Sequence, residues 1–151
     1  MSVDMVPEDL RPWFEAVRLE RGAHQPNGLA CAMEVVSKLA REPWSDHPKT
    51  AGLVLGAFIR GWNDGLPDAD RTRLIKPLLP RLVGAAGSPA VEERRAYMAL
   101  DWLIRVHTPT WLALVPSLQR HADELLGSPE IVNLATAGAM RAKVDAAGDA
   151  A

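Results

Sequence analysis

A single cysteine, Cys31, occurs in the 151 residues. An intrachain disulfide is therefore impossible, and one chain cannot build a thiol-rich zinc site. Basic surplus is also missing, with 17 Lys and Arg against 19 Asp and Glu. Locally the charges cancel too, as in Glu92-Glu93-Arg94-Arg95. The main electrostatic term of nucleic-acid binding is thus weak, and a nucleic-acid partner is disfavoured. The longest apolar-rich run, Ala51 to Ile59, falls well short of the ~20 residues of a membrane span. Met1 to Pro12 carries no basic segment followed by an apolar stretch, so no signal peptide is expected and the expected setting is cytoplasmic. The chain has no Gly-rich phosphate loop, no Gly-x-Ser-x-Gly elbow and no His-x-x-x-His pair, so no cofactor or metal is expected. Nor does any run alternate apolar and polar residues over six positions before a hairpin turn, so strands are not expected.

What is abundant is proline at helix starts. Ser88-Pro89, Thr108-Pro109 and Ser128-Pro129 each offer a capping oxygen followed by proline, and the turns before Pro48 and Pro67 are looser versions. The fixed φ of proline suits a first helical turn, where its missing N–H costs nothing. Helix starts are expected near 48, 67, 89, 109 and 129. Two helices precede them. Glu8 to Arg21 carries Leu10, Trp13, Phe14 and Val17 at helical spacing and ends at Gly22, and Leu29 to Arg41 carries Met33, Val36 and Leu39 and is stopped by Pro43. Pro77 and Pro80 interrupt the helix that begins at Asp68, so a kink is expected near Lys76. In the helix from Pro89, Val91, Ala99, Trp102, Leu103 and Val106 are expected to face inward.

The expected fold is all-α: one compact bundle of six to seven helices over residues 1–147, with a frayed tail at 148–151. Its expected centre is a buried helix from Pro48 to Trp62, apolar nearly all round. Gly52 and Gly56 lie four apart on that helix, so their face is a candidate for close packing or self-association.

The densest polar cluster is Glu42-Pro-Trp44-Ser-Asp46-His47-Pro48. Asp46 and His47, with Glu34, are candidates for acid–base or metal chemistry. Against that, Ser45 or Asp46 could simply cap the next helix. Trp44, Asn63, Asp64 and Asp101 are candidate binding residues. Glu34 and Asp101 stand out as carboxylates among apolar neighbours and call for solvent or a cationic partner, Arg105 among them. At 1.5 Å per residue, Asn63 lies ~24 Å from His47 along one helix, so the two polar pairs are not expected to share a small site. Cys31, near a helix N-terminus, is either a small buried apolar residue or an activated thiol. His24 is placed in a loop, and His107 and His121 on the surface. Five tryptophans outnumber the other aromatics, and two of them exposed together would mark a partner surface.

Cys31-Ala-Met33-Glu34, the Glu42-to-Pro48 string, Trp62-Asn-Asp64, Glu92-Glu-Arg94 and Asp101-Trp102 together resemble a family of small, uncharacterised actinobacterial and actinophage proteins, over roughly Leu29 to Leu112. The resemblance implies a bacterial origin and carries no activity with it. Two functions are weighed. One is a non-enzymatic helical module acting through a protein partner or a second copy. The other is a small enzyme or ligand-binding protein using Glu34, Asp46 and His47.

Overall fold

The computed structural model describes residues 5–26 and 28–151, and it is all-α. Apart from one isolated bridge, Leu19 to Ala30, the described residues form no β pairing. The chain divides into two compact units that meet in sequence at Ser88 and Pro89, where the sequence alone suggested one bundle. None of the helices among the described residues is long and apolar enough to cross a membrane.

In the first unit, α1 spans Arg11–Ala16, α2 Ala32–Leu39, α3 Leu53–Gly65 and α4 Asp68–Ile75. Helix α1 ends five residues before the expected Arg21. Val17 turns extended, and Lys76 closes the helix end by donating from Nζ to the carbonyls of Glu15 and Val17. The chain then runs out to a pairing in which the Glu20 amide donates to the Ala30 carbonyl.

The buried central helix is α2, not the segment from Pro48 to Trp62. Seven of its eight residues are buried, Glu34 and Ser37 among them. Fully burying a side chain such as Met33 contributes about 1.5–3 kcal/mol. Helix α2 ends in a Schellman arrangement, with the Glu42 amide on the Ser37 carbonyl and the Arg41 amide on that of Lys38. Arg41 takes the left-handed position at φ 58° that glycine usually fills.

Helix α3 begins only at Leu53, which is 81% exposed. A single 3-10 turn, Lys49–Ala51, precedes it, and Gly52 breaks the helix at φ 74°. Gly52 and Gly56 therefore share no helical face, and the expected self-association stripe does not exist. Gly56 alone is helical and buried. A Cβ there would lie 3.4 Å from Arg60 Nη1 and 3.7 Å from Met33 Sδ, so its bare backbone makes room for the returning Arg60 side chain. After α4, Pro77 and Pro80 convert the chain to 3-10 turns over Lys76–Leu82, the expected kink.

In the second unit, α5 spans Pro89–Trp102, α6 Thr108–Leu112, α7 Gln119–Leu126 and α8 Leu134–Ala150. Its core gathers Leu112, Leu118, Ala122, Leu125, Ile131 and Met140. Three helix expectations are corrected here. Helix α6 does begin at Thr108 with Pro109 in its first turn, but Thr108 is not its cap. Residues Leu103–His107 form a π turn that carries α5 into α6. Pro109 has no N–H to give back to Arg105, and a widened turn accommodates that gap. Helix α8 starts at Leu134 rather than Pro129, because Asn133 caps it, its side chain accepting from the Thr136 amide while Thr136 Oγ1 accepts from the Asn133 amide. Helix α8 runs to Ala150, so residues 148–150, expected as a tail beyond the last helix, belong to it.

The inward stripe of α5 also differs. Tyr97, Leu100 and Ile104 pack on the core, at helical spacing. Val91, Trp102, Leu103 and Val106, expected inside, are exposed, as is Met98.

Candidate functional site

Glu34 is the most deeply placed charged group, 1% exposed on α2. Its Oε2 accepts from the Cys31 amide at 2.7 Å, completing a capping box at the start of its own helix. Its Oε1 accepts from the His24 amide, and Nδ1 of the same histidine lies 3.2 Å from Oε2. A carboxylate there can only accept, so its partner nitrogen is the ring's donor side. His24 is thus a tethered residue with a ring 14% exposed, rather than a free loop histidine.

The same loop is held from two other elements. Trp44 Nε1 donates to the His24 carbonyl at 2.8 Å. From α3, Asn63 accepts the Ala32 amide on Oδ1 and donates from Nδ2 to the Glu20 carbonyl and to Asp64. Asp64 in turn accepts the Gly22 amide at 2.9 Å. That backbone bond, followed by the Asn63 bond, holds the Asp64 carboxyl below its ordinary value. Four of the suggestive residues, Glu34, Trp44, Asn63 and Asp64, therefore converge on the chain between Glu20 and Ala32. They converge as a clasp. Each polar atom aimed at the loop is spent on its backbone or on His24. Glu34 lines none of the surface hollows described below, and a general base must reach a substrate proton.

Arg71, which sequence reasoning missed, locks the clasp from below. It is 2% exposed. Nε donates to the Asn63 carbonyl, Nη2 to that of Leu66 and Nη1 to Asp68. Its only signal in sequence was an (i, i+3) spacing from Asp68 on α4. Cys31 faces the interior, and burial pushes its thiol up to about 12, so it is not an activated nucleophile.

Asp46 and His47 lie apart from the clasp, joined to each other by a 2.7 Å contact between Oδ1 and Nδ1 on an exposed turn. Neither Ser45 nor Asp46 caps a helix. Ser45 Oγ accepts from the His47 amide, and the capping role falls to Glu42, whose carboxylate accepts the Lys49 and Thr50 amides. His47, Pro48, Lys49, Gly52, Leu53 and Arg60 line a hollow of about 230 Å³. A larger groove of about 410 Å³ runs between Arg18 to Glu20 and the first turns of α4. Among the described residues no cluster of three or more His, Cys, Asp or Glu could hold a metal.

In the second unit Asp101 has the partner expected of it. Arg105 donates to it from Nε at 2.6 Å and from Nη2 at 3.1 Å, and the Ile131 amide shares Oδ1. These bonds, the guanidinium first, hold the Asp101 carboxyl below its ordinary value. Arg105 also reaches the Ser128 carbonyl, while Ser128 Oγ donates to Glu124 and accepts from Lys143. Asp101 staples the turn before α8. His121 is buried rather than on the surface. An apolar hollow of about 250 Å³ lies between α6, α7 and the end of α8.

The exposed feature of this unit is aromatic. The five-residue step of the π turn brings His107 over Trp102, with ring centroids 5.0 Å apart and planes inclined by 28°. One turn on, Trp111 Nε1 donates to His107 Nε2 at 3.1 Å. Trp111 is 61% exposed, and Leu103, Val106 and Leu114 are exposed beside it in sequence. Compared with family models, curated proteins and solved structures, the chain has no significant match.

Proposed function

We propose that this protein is a non-enzymatic helical interaction module that binds a protein partner through the Trp102–His107–Trp111 surface of its second unit. The supporting observation is the ordering of two exposed tryptophans, Trp102 and Trp111, on the half-buried His107 between them. Large rigid aromatics concentrate binding energy in protein interfaces, and a π turn inside a helix often marks a functional position. The hydrogen bond from Trp111 to His107 and the stacking of His107 on Trp102 set the rings before any partner arrives, which reduces the ordering cost of binding. Among the candidate acid–base residues, the fate of Glu34 supports the same reading, because the clasp consumes it. A single, buried thiol accords with a reducing compartment, as the cytoplasm would be.

The partner chemistry that fits is an amphipathic helical segment with apolar anchors. Peptides selected from a displayed random library on the immobilised protein should carry Leu, Phe or Trp at helical spacing and compete for one site. Trp111→Ala should weaken the soluble peptides at least tenfold, about 1.4 kcal/mol, with unchanged circular dichroism. Selected peptides indifferent to both Trp111→Ala and Trp102→Ala would overturn the proposal.

A further inference from the structure

We infer that the hollow between the Asp46–His47 turn and the start of α3 is a binding site for a small tetrahedral oxyanion, a free phosphate or a small phosphate monoester. This inference stands independently of the aromatic surface. Two cationic side chains, Lys49 and Arg60, line one hollow of about 230 Å³ together with the His47 imidazole. Seven of the other twelve arginines pair with a carboxylate among the described residues, as Arg41 does with Asp9, Arg71 with Asp68 and Arg105 with Asp101. Among the described residues neither Lys49 nor Arg60 has such a partner.

Arg60 is also placed rather than loose. Its guanidinium folds back along α3 over the bare backbone of Gly56, and Nη1 donates to the Asp46 carbonyl at 3.1 Å. That single bond leaves most of its five N–H donors for a ligand. Two carboxylates lie nearby, and both are engaged. Asp46 holds His47 Nδ1, and Glu42 holds the Lys49 and Thr50 amides. Leu53, the first residue of the 13-residue α3, lines the hollow too and adds the positive end of that helix. The volume lies below the ~300–1,000 Å³ of drug-sized pockets, which favours a small oxyanion over a nucleotide.

The test is a titration of the ¹⁵N-labelled full chain with sodium phosphate, and in parallel with glycerol 2-phosphate, at ionic strength held constant with sodium chloride. The expected result is a saturable shift in the millimolar range, confined to the amides of His47, Lys49, Gly52 and Leu53 and to Arg60 Nε. Tighter binding of the monoester would identify an organic phosphate as the ligand, and equal binding the free oxyanion. Lys49→Ala and Arg60→Gln should each weaken binding about tenfold or more, the loss of one charge-assisted contact. Arg73→Ala, which removes an exposed arginine paired with Asp70, should leave it unchanged. Lys49 is exposed, so its variant reports even where Arg60→Gln perturbs the fold. Linear, unsaturating shifts, or binding that survives both substitutions, would overturn the inference.

Discussion

Replacing Glu34 by glutamine keeps the volume of the side chain and changes only what its two oxygens can accept. In the native site Oε1 takes the His24 amide, and Oε2 takes the Cys31 amide and faces His24 Nδ1. Glutamine offers one oxygen and one NH₂. One of the two backbone amides must then face a second donor, and neither amide can be reversed. A hydrogen bond to a charged group contributes about 1.5–3 kcal/mol, and a buried donor left unpaired costs about 1–3 kcal/mol. Relief of the desolvation of a carboxylate offsets part of this. The net expected loss for Glu34→Gln is about 2–3 kcal/mol. At about 4–8 °C per kcal/mol for a unit of this size, Tm of the first unit should fall by about 10–20 °C. Urea denaturation followed by circular dichroism should show the midpoint falling by about 1–2 M, with the slope unchanged. His24→Ala removes only the ring contact and keeps the backbone amide, so it should cost about 1 kcal/mol. A loss below about 0.5 kcal/mol for Glu34→Gln, or a larger loss for His24→Ala than for Glu34→Gln, would refute the reasoning.

Cys31, with its thiol pushed up to about 12 by burial, should resist iodoacetamide in the native protein at pH 8 and react only in urea, as mass spectrometry would show. Gly52→Ala should cost about 1–2 kcal/mol, because φ 74° strains any L side chain. Gly56→Ala should instead be neutral or stabilising by up to about 1 kcal/mol, since its Cβ meets only ordinary contacts and gains helix propensity, and the two melting temperatures would separate these outcomes. Asp101 has a carboxyl held below its unfolded value, principally by Arg105. Its stabilisation is therefore complete above about pH 4 and is lost as pH falls through the lower folded value. The difference in Tm between the native chain and Asp101→Asn should thus shrink below about pH 4, and a difference constant from pH 3 to 7 would contradict the pairing.

The helical class was legible because apolar spacing and proline both report on local backbone chemistry. Pro67 and Pro89 do stand at helix starts, and Pro77 and Pro80 do break the ladder. Thr108-Pro109, read as a capped start, and Pro129 misled for a physical reason. A proline needs only a place where no N–H is required, and a π turn or an irregular stretch supplies that as well as a first turn does. The break at Gly52 depends on a positive φ that helical periodicity does not encode. Choosing between the two apolar stripes of α5 depended on which one the second unit's core would take. At the clasp, sequence singled out Glu34, Trp44, Asn63 and Asp64 as polar residues needing an explanation, and the structure brings them together. Their common role was hidden because their targets are main-chain amides and carbonyls between Glu20 and Ala32, which look alike at every position. Asp101 was readable together with Arg105, since (i, i+4) spacing is local geometry.

The claim that these residues clasp a loop rather than serve a reaction is tested most directly by native-state hydrogen exchange. In the native chain the Gly22, His24, Cys31 and Ala32 amides should all be protected, although three of the four lie outside regular helix and Ala32 is only the first residue of α2. Asp64→Ala should release Gly22, Glu34→Gln should release His24 or Cys31, and Asn63→Ala should release Ala32. Protection in α7 and α8 should stay unchanged in all three. Fast exchange at these four amides in the native chain, or protection that survives loss of each partner, would contradict the account.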